Sequence, residues 1–347
     1  MSTERASKKC KTRSGCSGTE LSSAFLILQK FRDSITTTEI NLDDDILETV
    51  DSPELDTEID QDALAQLDGL LQWMDSKMKF TTKSHTFSSI QWGVISGIQV
   101  SQGPLLYLKS DLQQRVADTR LTGANHFMSS PNLHRFLNML LRLVARPSKA
   151  SARTWVDAFL YRASAMLPDD KTMTLNVEYS VSPVTVPTAS GVDIVLVGYM
   201  DYTVVVADPT MSDYFLNNAR VRDLVRYIDS VLRFFVVKAK SGDVKLLDCL
   251  PQVFAQLYAS ARKLRKTHMR GALTNGYEWL FVVLTVNSDG GASYAVSTRS
   301  HSVAPQDVSG KMVLNEDQVD MIAGILASWI QHSCEDIGED DWFRVGP

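Results

Sequence analysis

The chain has 347 residues, 44% hydrophobic and 22% charged, a composition that lets a globular protein bury a sizeable core in one large domain or two smaller ones. Its net charge of -6 excludes a chain that coats nucleic acid or membrane over its whole surface, and leaves a local basic surface open. Cys10, Cys16, Cys249 and Cys334 show neither zinc-ligand spacing nor a dense disulfide framework, no apolar run reaches transmembrane length, and the N-terminus lacks the apolar core of a signal peptide; the expected location is intracellular, nuclear or cytoplasmic, with no membrane partner.

Residues 1–60 are poor in large apolar side chains except around Phe25 to Phe31, and pass from a basic patch (Lys8, Lys9, Lys11, Arg13) into an acidic stretch from Asp43 to Asp62. Such a segment buries too little surface to offset its ordering entropy, so it reads as a flexible tail with one short helix. The basic patch reads either as a solvated tail or as a nuclear address or phosphate-contacting arm.

From 61 to 149 the pattern predicts a mainly helical region. Leu64, Leu67, Leu70 and Leu71 recur at helical spacing, whereas Ile90 to Val100 reads as a strand or hairpin. Ser130-Pro131 suits a helix start, and Leu133, Phe136, Leu137, Leu140, Leu141 and Val144 then form one apolar stripe. That stripe reads as core, with a surface for another protein (helix 131–144) as the alternative. His134 is expected at the surface.

After Arg146-Pro147-Ser148 a helix is predicted over 152–166, then a strand over Met173 to Val181. Glu178 falls on that strand's polar face. A Pro, Ser and Thr-rich loop (182–190) precedes the β-rich run Val192 to Val206, interrupted at Gly198. Asp201 lies inside this run, and an acid there is costly to bury unless paired, hydrogen-bonded or metal-bound; the alternative is an edge strand, or a bulge at Gly198, that lets it face water.

A helix is predicted from a Ser212 cap to Ser230, then a central strand to Lys240, in which Phe234, Val236, Lys238 and Lys240 share parity. Both lysines point the same way, toward solvent or toward a neighbouring Asp201. Pro251 starts the next helix, with Gln252 and Gln256 one turn apart on a face read as solvated. Its far end gathers Arg262, Lys263, Arg265, Lys266, His268 and Arg270, either a complement to the helix dipole or a phosphate-binding surface. A strand, an Asn275-Gly276 turn and a strand to Val286 follow, then a short strand at 294–297, a helix from about Asn315, and an acidic tail over 333–347.

The order helix, strand with Glu178, strand with Asp201, strand ending Lys238-Ala239-Lys240, helix starting Pro251-Gln252 and hairpin with Leu273-Thr274-Asn275-Gly276 resembles the PD-(D/E)XK nuclease superfamily, most closely the variants in fungal proteins. The resemblance covers about residues 150–332. It implies an α/β fold, with a central mixed β-sheet flanked by helices as in restriction endonucleases. It also implies metal-dependent phosphodiester hydrolysis of DNA or RNA, with Mg²⁺ or Mn²⁺ held by hard carboxylate oxygens. Carried over by position, Asp201 is the first acid, Lys240 the motif lysine, Gln252 a helix-borne site residue and Glu178 an additional acid or metal ligand.

Lys238 stands where the family has its Glu. A protonated lysine does not ligate a hard cation, and each unit-charge interaction at such range is worth roughly 4 kcal/mol at an effective dielectric near 20. Three explanations follow, in order: nucleic-acid binding kept with cleavage lost, another acid such as Glu178 taking over the metal, or an inactivating substitution. The expected function is a nuclease-fold nucleic-acid-binding protein with a degraded active site; the alternative is a non-catalytic interaction or effector protein.

Overall fold

A computed structural model describes residues 28, 32, 66–71, 83–145, 148–217 and 233–346. The chain divides into two units, Met1–Thr82 and Lys83–Pro347. In the first, residues 66–71 are helical and Arg32 Nε lies 2.7 Å from Asp68 Oδ1. The basic patch and acidic stretch expected of the N-terminal tail lie outside the described residues.

The second unit is built on a ten-stranded mixed sheet. In chain order its elements are β1 (Lys83–Thr86), α1 (Trp92–Gly97), β2 (Val100–Leu108), α2 (Leu112–Leu121), α3 (Ser130–Leu143), α4 (Lys149–Ser164), β3 (Thr172–Val186), β4 (Ile194–Ala207), α5 (Pro209–Asn217), β5 (Arg233–Ala239), α6 (Leu250–Leu264), β6 (His268–Thr274), β7 (Glu278–Val286), β8 (Ala292–Ser297), β9 (His301–Ser302), α7 (Glu316–Gln331) and β10 (Phe343–Val345). The strands run β1-β4-β5-β6-β7-β8-β2-β10, with β3 on β4 and β9 on β7. The expected mixed α/β architecture is therefore observed. The region 83–149 contributes β1 and β2 to the same sheet, so the junction expected at 149/150 falls inside one unit.

Each face of the sheet carries its own core. On one, α6 lays Phe254, Leu257 and Tyr258 against Val236, Met269, Leu273 and Val282. On the other, α4 and α7 set Trp155, Phe159, Ile322, Leu326 and Trp329 against Phe235, Val237, Ala272 and Phe281. Local chemistry sets the helix ends: the Ser148 hydroxyl accepts from Ser151 N at 3.0 Å to start α4, Asn315 Oδ1 accepts from Gln318 N at 3.1 Å to start α7, and Arg265 in the left-handed region stops α6. No helix among the described residues is long and apolar enough to cross a membrane.

Several expectations are corrected. Ile90 to Val100, expected as a strand or hairpin, holds α1 and meets strand β2 only at Val100; Ile95 and Ile98, three residues apart, both bury on a helical spacing. The Pro, Ser and Thr-rich stretch continues β3 to Val186, and the register shift between Val181 and Val184 absorbs Pro183. Ser212 does not cap α5: it is buried inside the helix and donates to Thr172 O at 3.1 Å, while Asp208 Oδ1 receives Met211 N at 3.0 Å. The remainder of that expected helix, beyond Asn217, lies outside the described residues. The α3 stripe is core at Leu133, Leu137 and Leu140.

His134 is buried, its Nε2 3.2 Å from Asp320 Oδ1. Asp320 also accepts from Ser130 Oγ at 2.5 Å and Arg120 Nε at 2.7 Å, so a carboxylate on α7 fastens both α2 and α3. The acidic C-terminal segment is not a solvated tail: it forms β10, and Asp341 is buried against Arg270.

Candidate functional site

Strand β4 changes its surroundings midway. Ile194, Leu196 and Met200 belong to the α6-side core, whereas Tyr202, Val204 and Val206 belong to the α4-side core. Residues of equal parity share a face in a regular strand, so the strand turns over between Met200 and Tyr202, at Asp201. Strand β3 turns with it. The pairs Val177↔Tyr202 and Tyr179↔Met200 place Glu178 across from Asp201, and Glu178 has a left-handed backbone, φ 55°. That conformation is uncommon for a residue with a side chain, and costs roughly 1 kcal/mol or more.

The other edge of β4 opens at the same place. It pairs with β1 only as far as Val197 and with β5 only from Tyr202, so residues 198–201 lack a strand partner on that side. Beyond Val237, β5 leaves β4 and follows β6. Side chains fill the fork. Asp201 Oδ2 accepts from Ala239 N at 3.2 Å, and Gln256 Nε2 donates to Tyr199 O at 3.1 Å. Gln256, expected at a solvated surface, is fully buried for this reason.

Cations converge on Asp201 from both sides of the sheet. Lys238 shares parity with Val236 of the α6-side core, and its Nζ lies 3.0 Å from Asp201 Oδ2. The first turns of α4, on the other side, supply Lys149, whose Nζ contacts Asp201 Oδ1, and Arg153, whose Nη2 lies 3.3 Å from Oδ1 and 2.7 Å from Glu178 Oε1. Asp201 and Lys238 are 4% and 5% exposed, which makes this a buried ion pair, while Glu178 is exposed. Lys240 Nζ donates to Gln252 Oε1 at 2.6 Å, and Gln252 Nε2 donates to Ser88 O at 3.2 Å.

Burial pushes the Asp201 carboxyl upward, but the charge of Lys238 and the hydrogen bond from Lys149 outweigh it and hold the carboxyl below its ordinary range. Burial pulls the Lys238 ammonium below its ordinary range, against the attraction of Asp201, with Lys240 and Lys149 adding repulsion. The cations Lys149, Arg153 and Lys238, with Lys240 close enough to repel Lys238, stand against Asp201, Glu178 and the Asp157 carboxyl that interacts with Arg153, an excess of one positive charge.

Of the residues singled out in the sequence, Glu178, Asp201 and Lys238 thus come together, with Lys240 and Gln252 coupled at the end of β5. Lys149 and Arg153 were missed. Their signal was a serine-capped helix start with two cations four residues apart, which places both on one helical face.

The basic set at the far end of α6 does not join this site: from Gln252 to Arg265 the helix rises about 20 Å. Arg262 and Arg265 are exposed there, and Lys263, Lys266 and His268 are half-buried. Arg270 is not a surface group. It is 2% exposed and bonded to Asp341 Oδ2 at 2.6 Å, Asp336 O at 2.6 Å and Glu335 O at 3.0 Å.

No protein-family model matches this sequence, and no curated protein is detectably similar to it.

Proposed function

We propose that the protein binds nucleic acid through a nuclease-like fold and that its Asp201 site holds phosphate without hydrolysing it. The carrying observation is the convergence of three cations on one buried carboxylate, Lys149, Arg153 and Lys238 on Asp201, which with Lys240 nearby outnumber Asp201, Glu178 and Asp157 by one. In support of the reading, the helix, three strands, helix and strand named from the sequence occur in that order as α4, β3, β4, β5, α6 and β6, with Asp201 and Lys238 side by side.

The donor set does not fit Mg²⁺ or Mn²⁺. Both oxygens of Asp201 accept hydrogen bonds from nitrogen, Glu178 is engaged by Arg153, and a dication would enter a site already in positive excess. The same excess attracts an anion. Lys149 and Arg153, both more exposed than Lys238, suit the non-bridging oxygens of a phosphodiester, and Arg can take two of them. Exposed Arg262, Arg265 and half-buried Lys266 add a second basic stretch at and just beyond the far end of the helix that bears Gln252.

The test is fluorescence anisotropy with labelled oligonucleotides at low and moderate salt, with either EDTA or Mg²⁺ present. Expected are binding that needs no metal, affinity that falls as salt rises, a roughly ten-fold loss in Lys149→Ala/Arg153→Ala, and no cleavage in either buffer. Metal-dependent cleavage by the unsubstituted protein sinks the non-catalytic part. Absence of oligonucleotide binding at low salt, together with a stable protein complex, would replace the reading with that of an interaction protein.

A further inference from the structure

The β6–β7 turn separates two environments of opposite character. On one side Gly276, at φ +90°, meets α4 so closely that a Cβ there would lie 3.0 Å from Trp155 Cβ and 3.1 Å from Ala152 O. This ties the turn to the helix segment bearing Lys149 and Arg153. Lys240 flanks it as well, its N–H donating to Thr274 O at 2.8 Å. On the other side the turn lines a cavity of about 590 Å³, walled by Asp243 of the β5–α6 loop, by Asn275, Tyr277 and Glu278, and by Gln306 and Met312 beyond β9. That volume lies within the roughly 300–1,000 Å³ of small-molecule sites.

Among the described residues no lysine or arginine lines the cavity. A phosphate placed there would face Asp243 and Glu278 without a counter-charge. A flat neutral group with amino hydrogens fits instead, because the two carboxylates and the Gln306 amide oxygen accept, while the amide N–H groups of Asn275 and Gln306 donate to a ring nitrogen or carbonyl. Asn275 is preset as a donor: it is 5% exposed, and its Oδ1 already accepts from Tyr277 N at 3.1 Å and Glu278 N at 2.8 Å, which leaves its amide N–H groups to a ligand. Its amide reaches Glu278 Oε2 only at 3.5 Å, a weak contact that leaves the carboxylate free for a closer donor.

We propose that this cavity receives a nucleobase carrying an exocyclic amino group, cytosine above thymine, while the adjoining phosphate lies against Lys149 and Arg153. The inference rests on the nucleic-acid reading above and narrows it to single-stranded nucleic acid, since a base can enter only when it is out of its stack.

Labelled oligo-dC and oligo-dT of equal length, and a duplex of the same length, are titrated with the full chain by anisotropy. Oligo-dC is expected to bind roughly ten-fold tighter than oligo-dT, and both tighter than duplex. Glu278→Gln and Asp243→Ala should each bring the two single strands to within about two-fold while leaving the salt dependence unchanged. Circular dichroism checks that both variants fold, and Asp243, exposed on a loop, keeps the test alive if Glu278→Gln does not. Equal binding of the two strands, a preference for duplex, or discrimination that survives both substitutions overturns the base cavity and leaves nucleic-acid binding standing. No binding of any oligonucleotide at low salt overturns both.

Discussion

Lys238 Nζ lies 3.0 Å from Asp201 Oδ2 where β4 and β5 part, and neither side chain has more than 7% of its surface exposed. A pair buried this deeply is strongly interdependent, because either charge left alone keeps its desolvation cost without its partner. Asp201→Asn strands the Lys238 ammonium and should cost about 3–5 kcal/mol in urea unfolding. Lys238→Met should cost less, since Lys149, Arg153 and Ala239 N still serve the carboxylate. The double variant should show a coupling of about 1 kcal/mol or more; strictly additive losses would show that the pair carries no mutual stabilisation.

Replacing Lys238 by a carboxylate addresses half of the site. Lys238→Glu takes the cation from Asp201 Oδ2 and leaves only Ala239 N there, but Oδ1 stays with Lys149 and Arg153. The single variant should therefore give weak Mn²⁺-dependent cleavage of an oligonucleotide, and adding Lys149→Ala should raise it about ten-fold, the effect of removing roughly 1.4 kcal/mol of opposing interaction. Asp201→Ala in either background should abolish it. Equal rates in single and double variants would show that Lys149 is no barrier, and no Mn²⁺ binding by calorimetry in the double variant would remove the latent-site idea altogether.

Asp201 and Lys238 were legible because each is a charge in an otherwise apolar strand, and burial of a charge demands a partner. The partners on α4 were not, because nothing local links Lys149 and Arg153 to a strand some fifty residues later. Long-range strand pairing was likewise invisible: β2 joins β8 in parallel, and no periodicity in either segment encodes that choice. Gln256 and Arg270 were misplaced for a shared reason. Both are polar residues that reach buried acceptors, the Tyr199 carbonyl and Asp341, so their polarity signalled a hydrogen-bond partner and not solvent.

Arg270 and Asp341 join β6 to the C-terminal segment, with Trp329 Nε1 donating to Asp341 Oδ1 at 3.0 Å. Asp341→Ala leaves a buried guanidinium and a buried indole N–H to find new partners, and should cost about 3–5 kcal/mol in urea unfolding. Truncation after Ser333 should cost at least as much, since it also removes β10 from β2. A truncated chain as stable as the whole would mean that the segment is a passive tail.

His301 gives the fold an acid-sensitive element. It is 3% exposed among Phe281 and Phe343, and burial, with the nearby Arg299, lowers its pKa from 6.5 to about 4. A depressed folded-state value means that the unfolded chain takes up the proton first as pH falls. The contribution of neutral His301 is thus complete above pH 6.5, is lost progressively between 6.5 and about 4, and changes no further below that. Across this window the loss is about 3 kcal/mol. His301→Phe keeps the ring packing and removes the titration, so its urea midpoint should vary less with pH between 6.5 and 4 than that of the unsubstituted protein. Parallel curves for the two proteins over that window would show that His301 does not set the acid sensitivity.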